Sequence, residues 1–271
     1  ITGNEAFEFS YLFDASDVAA NYGGSWAHAD NEGKGFGAWE INSNTAGGFA
    51  GIFLGDPSTA GISGLPNPSF GLYANPANVG NYVNANRPFT GPMSIGTTFS
   101  VDWAVNWDSD GIGNKGISLF TGGTAGTEII NINMGNSATI TINGNPMFFN
   151  YGFNVMNLHF KYISAGNLQV FATGRDGLET FNQTIAVAGP PDAVRFYASG
   201  LASGDQRQPY FNNLKLETDL SLASAGSDAM IVGDVVATNA LSLDNLMIET
   251  GNSLSLSPPA TLTVSGSVVN T

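Results

Sequence analysis

Hard oxygen ligands gather at one turn of this chain. Asp108, Asp110 and Asn114 lie within the glycine-broken stretch WDSDGIGNK, residues 107–115. Carboxylates and an amide on such a loop suit Ca²⁺, a hard cation that takes about six to eight oxygens. The pattern is not an EF-hand, because Leu119 stands where that loop carries its bidentate Glu. A solvated acidic turn is the other reading of the same residues. Asp30, Asn31 and Glu32 form a smaller cluster of the polar-loop kind.

Carbohydrate recognition would need exposed aromatic rings beside amides or carboxylates. Trp26, Trp39, Tyr73 and Tyr82 sit near Gly- and Asn-rich segments and are the candidates, with core packing as the competing role for large aromatics. Catalytic constellations are harder to find. Glu5 and Glu8 differ in parity and point to opposite faces of one strand. A retaining glycosidase needs two carboxyl groups about 5 Å apart, and no local pair supplies that. His159 reads as a solvent-face residue. His28 could share a face with Trp26 and Asp30 in an extended segment, but one His with one carboxylate is not a triad. With no cysteine, disulfides, thiolate metal sites and cysteine nucleophiles are excluded. Asn182-Gln183-Thr184 is a glycosylation sequon, and a Lys–Asn crosslink would need one of Lys34, Lys115, Lys161 or Lys215 buried.

The elements that must position these residues are strands. In residues 96–120, Phe99, Val101, Trp103, Val105 and Trp107 alternate with Ser100, Asp102, Ala104 and Asn106. A period of two puts the apolar set on one sheet face, so Trp103 and Trp107 read as core and the acidic turn closes the strand. Alternation predicts further strands at Phe7–Phe13, Glu128–Met134, Ala138–Ile142, Leu158–Tyr162, Leu168–Ala172, Leu178–Ile185, Ala193–Ala198 and Asn212–Glu217. Short buried strands are predicted at Gly48–Leu54 and Phe70–Ala74. Frequent Gly, Pro and Asn-Gly punctuation leaves no long amphipathic helix, and Asp14–Ala20 could make one helical turn.

Composition changes after Glu217. Residues 218–271 hold no Lys, Arg, Trp, Phe or Tyr, and LSL units at Leu220, Leu241 and Leu254 are followed by LTV at Leu262. Such short strands, joined by Gly-Asn and Pro-Pro turns, suit β-helix rungs that bury their apolar faces on one another. The reading is all-β: a two-sheet jelly-roll sandwich over 1–217, then a short β-helix-like or β-strand tail over 218–271.

Charge narrows the partners. Eight basic against 22 acidic residues give a net charge of −14, which repels phosphate backbones and disfavours anionic membranes. Charged residues make up only 11% of the chain, so Asn, Ser, Thr and Gly must cover the surface, as in exported β proteins. No apolar run approaches the roughly 20 residues of a membrane helix. If exported, the chain is numbered from its mature end or is a fragment.

Several segments resemble the concanavalin A-like lectin/glucanase (LamG-like) jelly roll of secreted bacterial surface proteins. They are GKGFGAWEI (33–41), FGLYAN (70–75), RPF with IGTTFSVDW (87–103), GNLQVFATGRDG (166–177), and AVRFYASG through YFNNLKL (193–216). The tail is similar to the β-rung stalks that follow such heads. Glucanases of this kind carry Glu-x-Asp-x-x-Glu on one strand, and that motif is absent. The resemblance implies adhesion, glycan binding or surface structure. The leading expectation is a non-enzymatic extracellular or cell-surface building block that associates with copies of itself or with other surface proteins. A calcium-assisted lectin that binds polysaccharide is the alternative, and a glycoside hydrolase comes third.

Overall fold

A computed structural model describes residues 9–106, 112–135, 139–150, 152–174, 177–204, 207–218, 228–237 and 240–270. Its first ten strands are β1 (Phe9–Asp17), β2 (Glu40–Asn44), β3 (Phe49–Gly55), β4 (Ser69–Asn75), β5 (Tyr82–Pro88), β6 (Thr97–Val105), β7 (Asn114–Thr121), β8 (Thr127–Asn133), β9 (Thr139–Ile142) and β10 (Asn145–Asn150). Five longer ones follow: β11 (Gly152–Ser164), β12 (Asn167–Gly174), β13 (Glu179–Ala186), β14 (Ala193–Ser199) and β15 (Tyr210–Thr218). The last six are β16 (Asp228–Ala237), β17 (Leu241–Leu243), β18 (Leu246–Ile248), β19 (Ser253–Leu256), β20 (Leu262–Val264) and β21 (Val268–Asn270).

Two antiparallel sheets face each other, as the alternation predicts. The smaller runs β10-β9-β8-β7-β14-β5-β2, and the larger runs β13-β12-β11-β6-β15-β1 and on into β16, β18 and β21, with β4 and then β3 branching from β15. The chain crosses between sheets at β1–β2, β2–β3, β4–β5, β5–β6, β6–β7, β10–β11, β13–β14 and β14–β15, which makes the sandwich a jelly roll. Phe99, Val101, Trp103 and Val105 of β6 all point inward and are buried, while Trp107, Asp108 and Asp110 lie outside the described residues. Between the sheets the Phe196 and Phe211 rings stack at 3.8 Å, flanked by Trp39, Phe70 and Trp103.

A buried polar knot pins the excursion between β1 and β2 to this core. Arg87 and Asp17, both fully buried, form an ion pair at 2.9 Å. Tyr22 donates to the same carboxylate at 2.8 Å, and Trp39 Nε1 donates to Tyr22 at 2.8 Å. The Arg87 guanidinium lies over the rings of Trp39 and Phe36 and donates to the Gly37 carbonyl. Burial pushes the Asp17 carboxyl above its ordinary range against the pull of Arg87, and it pushes the Tyr22 phenol up as well. Gly33 closes the knot from outside, because a Cβ there would sit 2.4 Å from the Asp17 carboxylate carbon.

Among the described residues after Thr218 every pairing is parallel. β16 lies parallel to β1, β18 to β16, and β21 to β18, so the larger sheet continues into a second kind of structure. The second half of β16 pairs with β19, and β17 pairs with β20. These are the walls of a β-helix-like coil. Ala229 pairs with Leu246 and Leu246 with Val268, so successive turns take 17 and 22 residues.

The tail units, a loose repeat in the sequence, stack in a definite order, and three local expectations are corrected. Leu241 pairs with Leu262 on one wall, and Leu254 pairs with Val235 on another. The LSL at Leu220 lies outside the described residues. Asp14–Ala20 forms no helical turn: β1 runs to Asp17, and a 3₁₀ turn follows at Ala19–Tyr22. The strand near Gly48–Leu54 is half-buried, because β3 pairs with β4 alone and leaves Phe49 71% exposed. Residues 26–30 are not extended. Ala29 has φ 71°, Trp26 is buried, and His28 is exposed, its Nδ1 accepting from Ile41 N–H.

Candidate functional site

The outer face of the smaller sheet carries rows of polar side chains, set by strand register. One row crosses Asn42, Asn84, Tyr197, Gly116 and Asn133; the next crosses Glu40, Asn86, Arg195, Ser118 and Asn131. Alternation sends Val83, Ala85, Ile117, Leu119, Phe196 and Ile132 into the core, so the intervening positions face out. Asn84, Asn114, Ser118, Glu128, Asn131, Asn133, Arg195 and Tyr197 line an open groove of about 420 Å³.

Tyr197 forms the floor. Its ring lies over Gly116, where a Cβ would come within 2.6 Å of the phenol oxygen and 1.9 Å of the Ile132 carbonyl. Only glycine lets the ring lie that low. The Tyr197 phenol accepts from Asn131 Nδ2 at 3.2 Å, and the same Nδ2 reaches Ser118 Oγ at 3.0 Å. Burial pushes the phenol up to about 12, so it stays neutral, and its proton is directed at the Ile132 carbonyl at 3.4 Å.

Arg195 is held from three sides. Its Nε donates to Asn86 Oδ1 at 2.7 Å, its Nη2 donates to the Thr124 carbonyl at 3.3 Å, and its guanidinium lies 4.4 Å from the Phe120 ring centroid. The Thr124 turn is fixed in its own right: Asp192 accepts from the N–H groups of Gly122 and Gly123 at 2.9 and 2.8 Å, and the Thr124 hydroxyl donates to Glu40. Glu128 is exposed beside this cation and acts on it through charge. Asn133 Nδ2 donates to Asn114 Oδ1 at 3.1 Å, and Asn133 Oδ1 is buried without a partner. A buried acceptor without a protein partner is met by a bound water or by a donor that enters the groove.

The candidates named from sequence fall in different places. Asn114 lines the groove, but Asp108 and Asp110 lie outside the described residues, and among the described residues no three His, Cys, Asp or Glu side chains cluster. Trp26 and Trp39 are buried, their rings edge-on at 4.9 Å in the core, so neither offers a face to a ligand. Tyr73 is half-buried beside Phe53. Tyr82 shares the outer face with the groove, opposite Ser199 in register. His159 lies half-buried on the outer face of the larger sheet, 6.0 Å from Phe171, and burial lowers its pKa. Asn182 is exposed on β13, and of the four lysines only Lys115 is buried.

Apart from Asn114, the groove residues escape the sequence reading because polar positions of alternating strands look like ordinary solvent face. The available signal was amides two apart within one strand, at Asn84 and Asn86 of β5 and at Asn131 and Asn133 of β8, which β14 and β7 separate in the sheet.

No family model and no curated protein matches this chain. Among solved structures, the Ca²⁺-bound exoplasmic/lumenal domain of VIP36 is 13% identical, with 66% of this chain and 83% of that chain covered at a TM-score of 0.37. A legume lectin-like domain from Entamoeba histolytica is 12% identical, with 66% and 88% covered at 0.39. The family 11 carbohydrate-binding module from Clostridium thermocellum, in complex with a mixed-linked tetrasaccharide, is 9% identical, with 75% and 96% covered at 0.36.

Proposed function

We propose that this chain is an extracellular carbohydrate-binding protein that holds a polysaccharide in the groove of its smaller sheet and does no chemistry on it. The observation that carries this reading is the groove itself: four Asn side chains, Ser118, Tyr197, Arg195 and Glu128 converge on one concave surface of a rigid sheet. Amides and hydroxyls that both donate and accept match the hydroxyls of a sugar, and a flat phenol ring can pack against its apolar face. Glycosidases of the two-carboxylate kind need a pair flanking the bond, whereas Glu128 is the single carboxylate among these lining residues.

The 1–217 sandwich then acts as the recognition domain, and the parallel coils of 218–271 act as a spacer at a cell surface. Calcium at Asp108, Asp110 and Asn114 is part of the same proposal, with Asn114 on the groove. Self-association through coils or sheet edges is a separate proposal, tested by sedimentation over a range of concentrations.

A polysaccharide and glycan array tests the function. Retention of at least one glycan, lost in Tyr197→Ala and in Asn131→Ala while both variants keep the native dichroism spectrum, is the expected result. A blank array, or binding that survives both changes, sinks the reading. Loss of binding on chelation and in Asp108→Ala would add calcium to it.

A further inference from the structure

Building on the carbohydrate reading, we propose that the groove selects a neutral, hydroxyl-rich polysaccharide over acidic ones, and that Glu128 sets this preference. The argument is an inventory of donors and acceptors. A sugar hydroxyl donates and accepts, whereas the carboxylate of a uronic acid or the sulfate of a sulfated sugar only accepts.

The groove has acceptors to spare. Asn133 Oδ1 is buried in its lining with no partner, and the exposed Glu128 carboxylate is an acceptor with a full charge. Glu128 accepts from an incoming hydroxyl and repels an acidic group. Part of the groove's donor set is committed. Asn133 Nδ2 serves Asn114, and Asn131 Nδ2 serves Ser118 and Tyr197. Arg195 is the one cation among the lining residues. Its Nε and Nη2 are engaged by Asn86 and Thr124, its face covers Phe120, and Glu128 offsets its charge.

An acidic chain would therefore meet one compensated cation, one carboxylate and an unmet acceptor, in the field of a protein of net charge −14. A neutral chain brings hydroxyl donors to the same groove and no charge for Glu128 to repel. Glu128 is exposed, so its amide analogue leaves the packing intact and changes the charge alone.

The test is titration calorimetry of the full chain, at low and high salt, with neutral polysaccharides (a β-glucan, a xylan, a mannan) and acidic ones (polygalacturonate, alginate). The wild type is expected to bind at least one neutral polymer with little salt dependence, and the acidic ones at least about tenfold more weakly. Glu128→Gln should narrow that ratio about tenfold by strengthening acidic binding, and Asn133→Leu should weaken neutral binding about tenfold. Acidic binding as tight as neutral binding, or an unchanged ratio in Glu128→Gln, overturns the selectivity. Failure of every polymer overturns the carbohydrate reading and the selectivity with it.

Discussion

The sandwich and the parallel coils fill their interiors with different side chains, and the reason is the width of the space. Facing sheets stand about 10 Å apart, a gap that Trp39, Phe70, Trp103, Phe196 and Phe211 bridge from both sides. The walls of a coil close on one another within a turn. There Ala229, Ile231, Val235, Ala237, Leu241, Leu243 and Leu246 suffice, each wall residue stacked on its counterpart one turn along. The absence of aromatic residues after Glu217 follows from that geometry. Sandwich stability therefore rests on contacts between residues far apart in sequence, and coil stability on neighbouring turns.

The largest effect expected to separate the two regions comes from the buried knot. Arg87→Ala leaves Asp17 as an unpaired buried carboxylate and should destabilise the sandwich by about 3–5 kcal/mol in chemical denaturation. Replacing both partners, as Asp17→Leu with Arg87→Met, should recover much of that loss. If the single change costs as little as an exposed substitution, the knot does not hold the β1–β2 excursion to the core.

Next in size is Leu243→Ala, which opens a cavity in the coil and should cost about 2–3 kcal/mol. Hydrogen exchange locates the damage. Amides of β17 and β20 should lose protection while those of β6 and β11 keep theirs. Equal loss in both regions would mean that the parallel pairing of Phe9–Asp14 with Asp228–Gly233 welds sandwich and coils into one cooperative unit.

How much of this was legible in the sequence depends on whether a residue's partner is local. The β6, β11 and β12 strands were readable because their apolar sets alternate without interruption. β5 was not. Its inward series is Val83, Ala85 and Arg87, and the arginine is admissible inside only because Asp17 waits 70 positions earlier. The coil signature was visible as LSL and LTV units, but which unit stacks on which depends on turn lengths that composition does not encode. The groove was hidden for a related reason. Asn84, Arg195, Ser118 and Asn131 become neighbours only once β5, β14, β7 and β8 are placed side by side.

A third prediction uses pH. Lys115 points to the core side of β7, its Nζ donating to the Met134 carbonyl at 3.1 Å, and burial lowers its pKa to about 7. Below that value the ammonium is charged in both folded and unfolded chains, and the full desolvation penalty opposes folding. From about 7 up to the ordinary lysine value of 10.5, the unfolded chain still binds the proton and the folded one does not, so stability rises with pH. The slope attributable to this residue reaches about 1.4 kcal/mol per pH unit. Lys115→Met should remove it, being the more stable form near pH 6 and losing that advantage toward pH 10. A wild-type and variant pair whose denaturation midpoints differ by the same amount at every pH would show that Lys115 is not desolvated.

The smallest effect sharpens the comparison inside the coil itself. Leu246 and Val268 are paired on one wall, yet Leu246 is 2% exposed and Val268 is 61% exposed. If stacking register alone stabilised the wall, equivalent changes at the two positions would cost the same. If burial decides, Val268→Thr, which keeps the β-branched shape, should stay within about 0.5 kcal/mol of wild type. Leu246→Ala should cost about 2 kcal/mol or more, because its neighbours cannot close the space it leaves. Thermal denaturation of the two variants side by side distinguishes these cases, and equal shifts would assign the coil's stability to its backbone ladder.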